Sequence, residues 1–168
     1  MSGTDATIRL GLPLLATGQA QKELTHNEAL ARLDIAVQAA VVAVGLAVPP
    51  SAPAAGEAWV VGAAPGGAWA GHEDAIAAWT GGGWRFVDPR EGMTVWSIAD
   101  RRDVRYSNGL WTSGELRGGR VLVDGVKVVG QRGAAIAAPT GGTVVDKEAR
   151  AAIGAVLAAL RGHGLIAE

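Results

Sequence analysis

The chain has no cysteine and little phenylalanine or tyrosine. Of its 168 residues, none is cysteine, one is phenylalanine and one is tyrosine. Disulfide bonds and thiol chemistry are therefore excluded, and a metal site would need histidines and carboxylates alone. The formal net charge is −1, which gives no electrostatic reason to expect nucleic acid or an anionic membrane as a partner.

Long apolar segments are also lacking. Residues 1–8 are polar, and the apolar run 36–48 is shorter than the ~20 residues that a membrane-spanning helix needs. We therefore expect a protein that is made and assembled in the cytoplasm and has no membrane partner.

Glycine and tryptophan are abundant instead, with 25 and six copies. The glycine content is about twice the usual ~7 % and indicates many tight turns. Composition divides the chain into an N-terminal segment with a helix (1–48), a Trp-rich antiparallel β-domain (57–117), and a β-hairpin followed by a helix (118–168). A Pro-rich connector joins the first two, and the predicted fold class is α+β.

The N-terminal zone carries a helical pattern that extends to about residue 44 and then stops at Gly45 and two prolines. Thr17 or Thr25 could cap the start of the helix, and Thr25 is followed at three residues by Glu28, as a capping box requires. One apolar stripe could fold back onto the β-domain or pair with other copies of the chain. We favour self-association through its members, which are Leu30, Leu33, Val37, Val41 and Val44.

Short apolar runs predict strands at residues 58–61, 76–79, 84–87, 94–98 and 104–106. The glycines at 81–83 predict a hairpin loop, and the pairs Asn108-Gly109 and Asp124-Gly125 predict two-residue hairpin turns. Asp146 is placed to cap a second helix over residues 147–161. The central zone is therefore expected to form a compact sheet or a small barrel.

No pattern in the chain indicates catalysis. His72, Glu73 and Asp74 are adjacent, but consecutive residues of an extended segment point to opposite faces. His26 and His163 lie in other zones, and the glycine run at 81–83 has no following lysine and helix. We therefore predict a protein that is not an enzyme and that uses no cofactor or metal.

The tryptophans have two interpretations. In a small sheet with almost no other aromatic residue, most of them should fill the core. An exposed indole beside polar groups can instead bind a sugar ring. The candidates for glycan contact are Trp69, Trp79, Trp84 and Trp111.

The segment from Leu12 to Leu30 resembles the opening signature of the DUF2793 family of phage-related proteins of alphaproteobacteria. The resemblance continues through the Pro-rich connector and the Trp-containing segments to about residue 112, and residues 128–166 resemble C-terminal segments of phage tail fibres. The signature residues in this chain are Gln19, Gln21, Lys22, Glu23, His26 and Asn27.

The resemblance implies a virion protein on the surface of a phage-like particle, such as the head spike of a gene transfer agent or a tail fibre. It implies a structural head-spike base or fibre adaptor that decorates the capsid, carries a fibre and supports attachment to host capsular polysaccharide. The implied partners are copies of the chain itself, as a pentamer or trimer, capsid-vertex and fibre proteins, and polysaccharide. The alternatives are a carbohydrate-binding module that contacts the recipient cell directly, and a glycan-degrading enzyme.

Overall fold

The computed structural model describes residues 6–16, 18 and 22–167. The chain divides into two compact units, Met1–Glu115 (unit 1) and Leu116–Glu168 (unit 2). The predicted α+β class is confirmed, with one helix near each end of the chain and Trp-rich strands between them. The elements are α1 (Lys22–Ala36), β1 (Ala40–Val41), β2 (Val44–Leu46), β3 (Ala58–Val61), a 3₁₀ turn (Gly67–Trp69), β4 (Ile76–Thr80), β5 (Gly83–Val87), β6 (Thr94–Ser97), β7 (Arg102–Ser107), β8 (Leu110–Ser113), β9 (Val121–Val123), β10 (Val126–Val129) and α2 (Lys147–Gly162).

Unit 1 contains two four-stranded sheets that share one core. Their strand orders are β2-β3-β4-β5 and β1-β6-β7-β8, and β1 and β2 are the parallel additions to otherwise antiparallel sheets. The segment 40–46 joins both sheets, because β1 pairs with β6 and β2 pairs with β3. Side chains from both sheets and from α1 meet in the core, which includes Ile35, Val41, Val60, Ile76, Val95 and Val104.

The predicted extension of the first helix to residue 44 is wrong. The helix ends at Ala36, and Gln38 has a φ of 47°, a left-handed conformation that a helix cannot continue through. Val41 and Val44 lie on β1 and β2, so they do not continue the predicted helical stripe. A run that is apolar on every side fits a strand buried between two layers as well as a buried helix. Thr25 lies inside α1 and does not cap it, and Thr17 lies outside the described residues.

The first three residues of the predicted stripe do belong to α1 or directly follow it. Leu33 and Val37 are about half exposed, and Leu30 is partly buried. Val41 is fully buried. The five residues therefore do not form one continuous surface, although Leu33 and Val37 leave an apolar strip on the outside of unit 1.

Asp34 anchors the N-terminal segment to α1. It is buried, and its carboxylate accepts hydrogen bonds from Thr7 Oγ1 (2.8 Å), Arg9 N (3.0 Å) and Leu10 N (2.6 Å). The Arg9 guanidinium donates to the carbonyl oxygens of Ile35 (3.1 Å) and Gln38 (2.9 Å), where α1 ends. These contacts satisfy carbonyls that the end of a helix leaves without partners.

Asp34→Ala is expected to lower the free energy of unfolding by about 2–4 kcal/mol, because three donors in a partly buried site lose their acceptor. Denaturant unfolding of the full chain measures the change. Asp88→Ala, at an exposed carboxylate, is the matched control and should cost less than about 0.5 kcal/mol. Equal losses in the two variants would contradict this anchoring role.

Glu28 connects α1 to β5, the edge strand of the sheet β2-β3-β4-β5. Its carboxylate contacts Arg85 Nε on β5 at 2.8 Å and Arg32 Nε, one helical turn away, at 3.2 Å. Partial desolvation raises the pKa of Glu28, but hydrogen bonds and charge attraction from Arg85 and Arg32 outweigh it, so the pKa lies below its ordinary value of 4.5. The ion pair therefore stabilises unit 1 when Glu28 is ionised.

Because the pKa of Glu28 is lowered on folding, its stabilisation is present above pH 4.5 and is lost as the pH falls through the folded-state pKa. Glu28→Gln should lower the free energy of unfolding by less than about 1 kcal/mol at pH 7, since the pair is partly exposed. The difference from wild type should shrink below pH 4.5. Denaturant melts across this range, with Glu73→Gln as the control at an exposed site, check the expectation. A difference that does not change with pH would contradict it.

The predicted hairpin turns are confirmed. Asn108 and Gly109 join β7 to β8 with φ angles of 53° and 78°, and Asp124 and Gly125 join β9 to β10 with φ angles of 49° and 77°. Two consecutive residues with positive φ match the twist of the strands that they connect. The loop between β4 and β5 is closed by the Thr80 hydroxyl, which donates to Gly83 O (2.7 Å).

Unit 2 consists of the β9–β10 hairpin, an irregular segment and α2. The predicted cap of α2 is confirmed, because the Asp146 carboxylate accepts from Ala149 N at 2.8 Å. Arginine side chains tie the irregular segment to the helix end: Arg132 donates to Ile166 O (3.0 Å) and Arg161 to Ile136 O (2.6 Å). Hydrogen bonds, more than apolar burial, thus hold these parts together.

Candidate functional site

Four of the six tryptophans form one aromatic cluster on the side of β3, β4 and β5 that faces away from the main core. Neighbouring indole rings lie 5.0–6.2 Å apart, mostly in edge-to-face arrangements. Such geometry favours aromatic pairing beyond simple burial. The cluster consists of Trp59, Trp69, Trp79 and Trp84.

Burial excludes Trp69 as a glycan contact in this structure. The 3₁₀ turn brings this side chain over β3, where it is 0 % exposed. The expectation that Trp69 contacts a glycan is therefore wrong, and the physical reason is that the turn uses the indole to cover the sheet. Trp79 and Trp84 pair across the β4–β5 hairpin and are partly buried.

Trp111 on β8 is also engaged within unit 1. Its ring lies 5.3 Å from that of Tyr106, and its Nε1 donates to Asp74 O at 2.8 Å. The residue packs against the main core and is partly buried. This hydrogen bond fixes the indole and leaves little of it for a ligand.

Trp96 is the exposed tryptophan, and it was not among the predicted glycan contacts. It is 44 % exposed, whereas the other five are buried or partly buried. It projects from β6 on the outer side of the second sheet, because Val95 and Ser97 take the inner positions of the strand. The indole is thus presented on the outside of a rigid sheet.

Polar side chains surround this indole on the same outer side. Asp103 on β7 is directly opposite Trp96, and Thr94 is directly opposite Arg105, which in turn faces Thr112 on β8. Residues directly opposite in antiparallel strands have Cβ atoms about 4.5–5.5 Å apart. We define the Trp96 face as the outer side chains Thr94, Trp96, Asp103, Arg105 and Thr112.

A shallow cavity of about 270 Å³ borders the Trp96 face. Gln38, Thr94, Trp96 and Asp103 line it. Within the described residues, no hydrogen bond or ion pair engages the carboxylate of Asp103 or the guanidinium of Arg105. Both charges are therefore available to a ligand that lies on the indole.

The chemistry of this face suits a sugar ring. The C–H face of a pyranose is apolar and can stack on an exposed indole, while its hydroxyl groups need donors and acceptors around the ring. Asp103 supplies an acceptor, Arg105 supplies up to five donors, and Thr94 supplies a hydroxyl. Hydrogen bonds to the charged groups are the stronger ones.

The face shows one carboxylate, not the pair that hydrolyses a glycosidic bond. Glycoside hydrolases place two carboxyl groups about 5–10 Å apart across the scissile bond. On β6, β7 and β8 Asp103 is the outward carboxylate, while Glu91 is used elsewhere, accepting from Ser107 Oγ (2.8 Å) and Asn108 N (3.0 Å).

No group of three or more His, Asp and Glu in the described part of the chain could hold a metal ion. No helix of the described residues is long and apolar enough to cross a membrane.

The family signature has a structural role where the structure describes it. Asn27 holds the N-terminal segment, since its Oδ1 accepts from Leu15 N (2.9 Å) and its Nδ2 donates to Leu15 O (3.0 Å). Glu23 is buried, and its Oε1 accepts from Gly18 N. His26 Nδ1 contacts Lys22 O within the helix at 2.8 Å. Gln19 and Gln21 lie outside the described residues.

Comparison with known proteins gives a family match, which spans most of unit 1. A family model described as a protein of unknown function, DUF2793, matches residues 26–112, which is more than half of the chain and covers most of α1, both sheets and the Trp96 face. No curated protein matches the chain significantly. The chain belongs to the DUF2793 family.

Proposed function

We propose that the chain is a non-enzymatic adhesion component of a phage-like particle and that unit 1 binds polysaccharide through the Trp96 face. The observation that carries the proposal is an exposed tryptophan on the outer side of a sheet, directly opposite an unengaged aspartate and next to an unengaged arginine. Trp96 supplies a stacking surface, and Asp103 and Arg105 supply hydrogen bonds to hydroxyl groups.

The charge of unit 1 favours a glycan over a polyanion. Residues 1–115 contain eight Lys and Arg against twelve Asp and Glu, a formal net charge of −4. A nucleic acid would be repelled by such a unit at low salt. A neutral or weakly charged polysaccharide meets no such barrier, and a capsular polysaccharide on the recipient cell is the proposed ligand.

The structural role is the second part of the proposal. We propose that the chain is a head-spike base or fibre adaptor that self-associates, attaches to the capsid vertex or to a fibre protein, and reaches the particle surface after assembly in the cytoplasm. The exposed apolar residues of unit 2 favour assembly, because an uncovered apolar surface of this kind usually marks an interaction site. The connection to phage-like particles rests on the resemblance of the N-terminal signature and the C-terminal segment.

Purified full-length chain should bind capsular polysaccharide from an alphaproteobacterial host in isothermal titration calorimetry. Dextran serves as the polymer control, and duplex DNA tests the alternative of a nucleic-acid ligand. Binding to the capsule polymer with no release of reducing ends supports an adhesin. Binding to DNA alone contradicts the proposal, and release of reducing ends would identify a glycan-degrading enzyme instead.

A further inference from the structure

Unit 2 lacks a core of its own. Among its described residues only Leu157 and Ile166 are buried hydrophobic side chains. On α2, Ile153 and Val156 are 46 % and 58 % exposed. A unit of this size normally buries about 60 % of the surface that its unfolded chain exposes, and its stability depends on that burial. Unit 2 therefore needs a partner that covers its apolar residues.

The lack of buried apolar side chains is clearest in the β9–β10 hairpin. It is a two-stranded sheet to which no other described strand is added. An isolated two-stranded hairpin is at best marginally stable in water, and a free apolar edge is a template for further strands. Its six apolar side chains are 44–66 % exposed: Val121, Leu122, Val123, Val126, Val128 and Val129.

The sequence of the free β9 strand is complementary to itself in the antiparallel direction. Three apolar residues are flanked by opposite charges, Arg120 before the strand and Asp124 after it. A two-fold axis through Leu122 would place Leu122 opposite its own copy, Val121 opposite Val123, and Arg120 opposite Asp124. Two ion pairs would form at once, and both charges are exposed and without a partner in the described part of unit 2.

We propose that β9 pairs with β9 of a second copy of this chain across a two-fold axis. The product is a continuous four-stranded antiparallel sheet in the order β10-β9-β9-β10. This number of strands reaches the range in which a sheet with an apolar face is stable. Opposite charges at the two ends of the paired segment favour this register, whereas an apolar strand alone would be free to slip.

A second copy fits this edge better than an unrelated protein does. The apolar residues of β9 and the two charges that flank it supply every group that a second copy of the same segment needs from its partner. Two identical segments are therefore complementary without any other part of the chain. An isologous contact also closes after two copies and does not propagate. The inference deepens the assembly part of the proposed function by naming the partner and the strand, and it is independent of glycan binding by unit 1.

The test uses two charge-reversal variants of the full chain and their mixture. Arg120→Glu and Asp124→Lys each place like charges opposite each other at both ends of the pair. Light scattering with size-exclusion chromatography should give a dimer for wild type and, for each variant, a dissociation constant raised about tenfold or more. An equimolar mixture should regain the dimer, because each introduced charge then faces its opposite.

Two controls separate the interface from damage to the hairpin. Lys147→Glu reverses the charge of an exposed residue on α2, outside the hairpin, and should leave the dimer intact. Asp124→Asn keeps a residue suited to the turn and should weaken the dimer less than Asp124→Lys does. Circular dichroism establishes that each variant is folded.

Three results would overturn the inference. The first is a wild-type chain that stays monomeric throughout a 100-fold dilution series that reaches about 100 µM. The others are a trimer or pentamer, and a dimer that neither reversal weakens. Failure of the mixture to restore the dimer would also overturn it, since the two variants should complement each other. Glycan titration of the Arg120→Glu variant keeps the two proposals separate. Retained binding by this variant supports the Trp96 face whatever the outcome for β9.

Discussion

Trp96→Ala is expected to weaken the binding of capsular polysaccharide by about tenfold or more. Removing the indole takes away the stacking surface of the Trp96 face, and a central aromatic contact of this kind commonly contributes about 1.4–3 kcal/mol to binding. Because Trp96 is 44 % exposed, the loss of packing within unit 1 should be small. Calorimetric titration of the variant and wild type measures the ratio of their dissociation constants.

Two further variants show whether the effect belongs to the face. Asp103→Asn and Arg105→Gln remove the charges beside Trp96 while keeping polar side chains, and each should weaken binding severalfold. Leu110→Ala, on β8 at the exposed end of the same sheet, is the matched control and should leave affinity unchanged. If Trp96→Ala binds as tightly as wild type, the Trp96 face is not the glycan site.

Trp69→Ala is expected to have the largest effect on stability. The side chain is fully buried against Trp59 and Trp84, with ring centroids 6.2 and 5.2 Å away. Truncating a buried tryptophan to alanine leaves a large cavity and costs about 3–5 kcal/mol. Denaturant unfolding should therefore show a much lower midpoint for this variant.

The comparison with Trp96→Ala gives this prediction its control. The same substitution at the exposed position should cost less than about 1 kcal/mol, since less apolar surface is buried there. Trp69→Phe should be milder than Trp69→Ala, because it keeps a ring and removes an Nε1–H that has no hydrogen-bond partner among the described residues. Equal losses at positions 69 and 96 would contradict the assignment of one tryptophan to the core and the other to the surface.

The sequence predicted the strands of unit 1 well where apolar runs end at turn residues. The strand 58–61 matches β3, and the hairpin signals at Asn108-Gly109 and Asp124-Gly125 fall at the observed turns. These signals are local, because a turn with two positive φ angles admits few residue types. The cap of α2 by Asp146 was predictable for the same reason.

The segment 37–46 was misjudged because its surroundings, not its residues, decide its structure. Its alanines and valines are apolar on every side, which a buried helix and a strand between two layers share. The parallel pairing of β1 with β6 joins residues about 55 positions apart in the chain. No local pattern specifies such a pairing.

The exposed tryptophan was missed for a similar reason. Alternation in β6 separates Thr94 and Trp96 from Val95 and Ser97, but it does not tell which pair faces inward. Hydrophobicity favours Trp96 as the buried member. In the structure Val95 and its cross-strand neighbour Val104 point into the core that the two sheets share, and the larger indole lies outside.

The claim that the Trp96 face binds polysaccharide is tested most directly by the indole N–H signals of the six tryptophans. Nitrogen-15 correlation spectra should be recorded while capsular polysaccharide fragments are added, with Trp96 assigned by its loss in Trp96→Ala. We predict that the Trp96 signal shifts first and most, and that the signals of Trp59 and Trp69 stay in place. Movement of the Trp79 and Trp84 signals with an unchanged Trp96 signal would contradict the proposal.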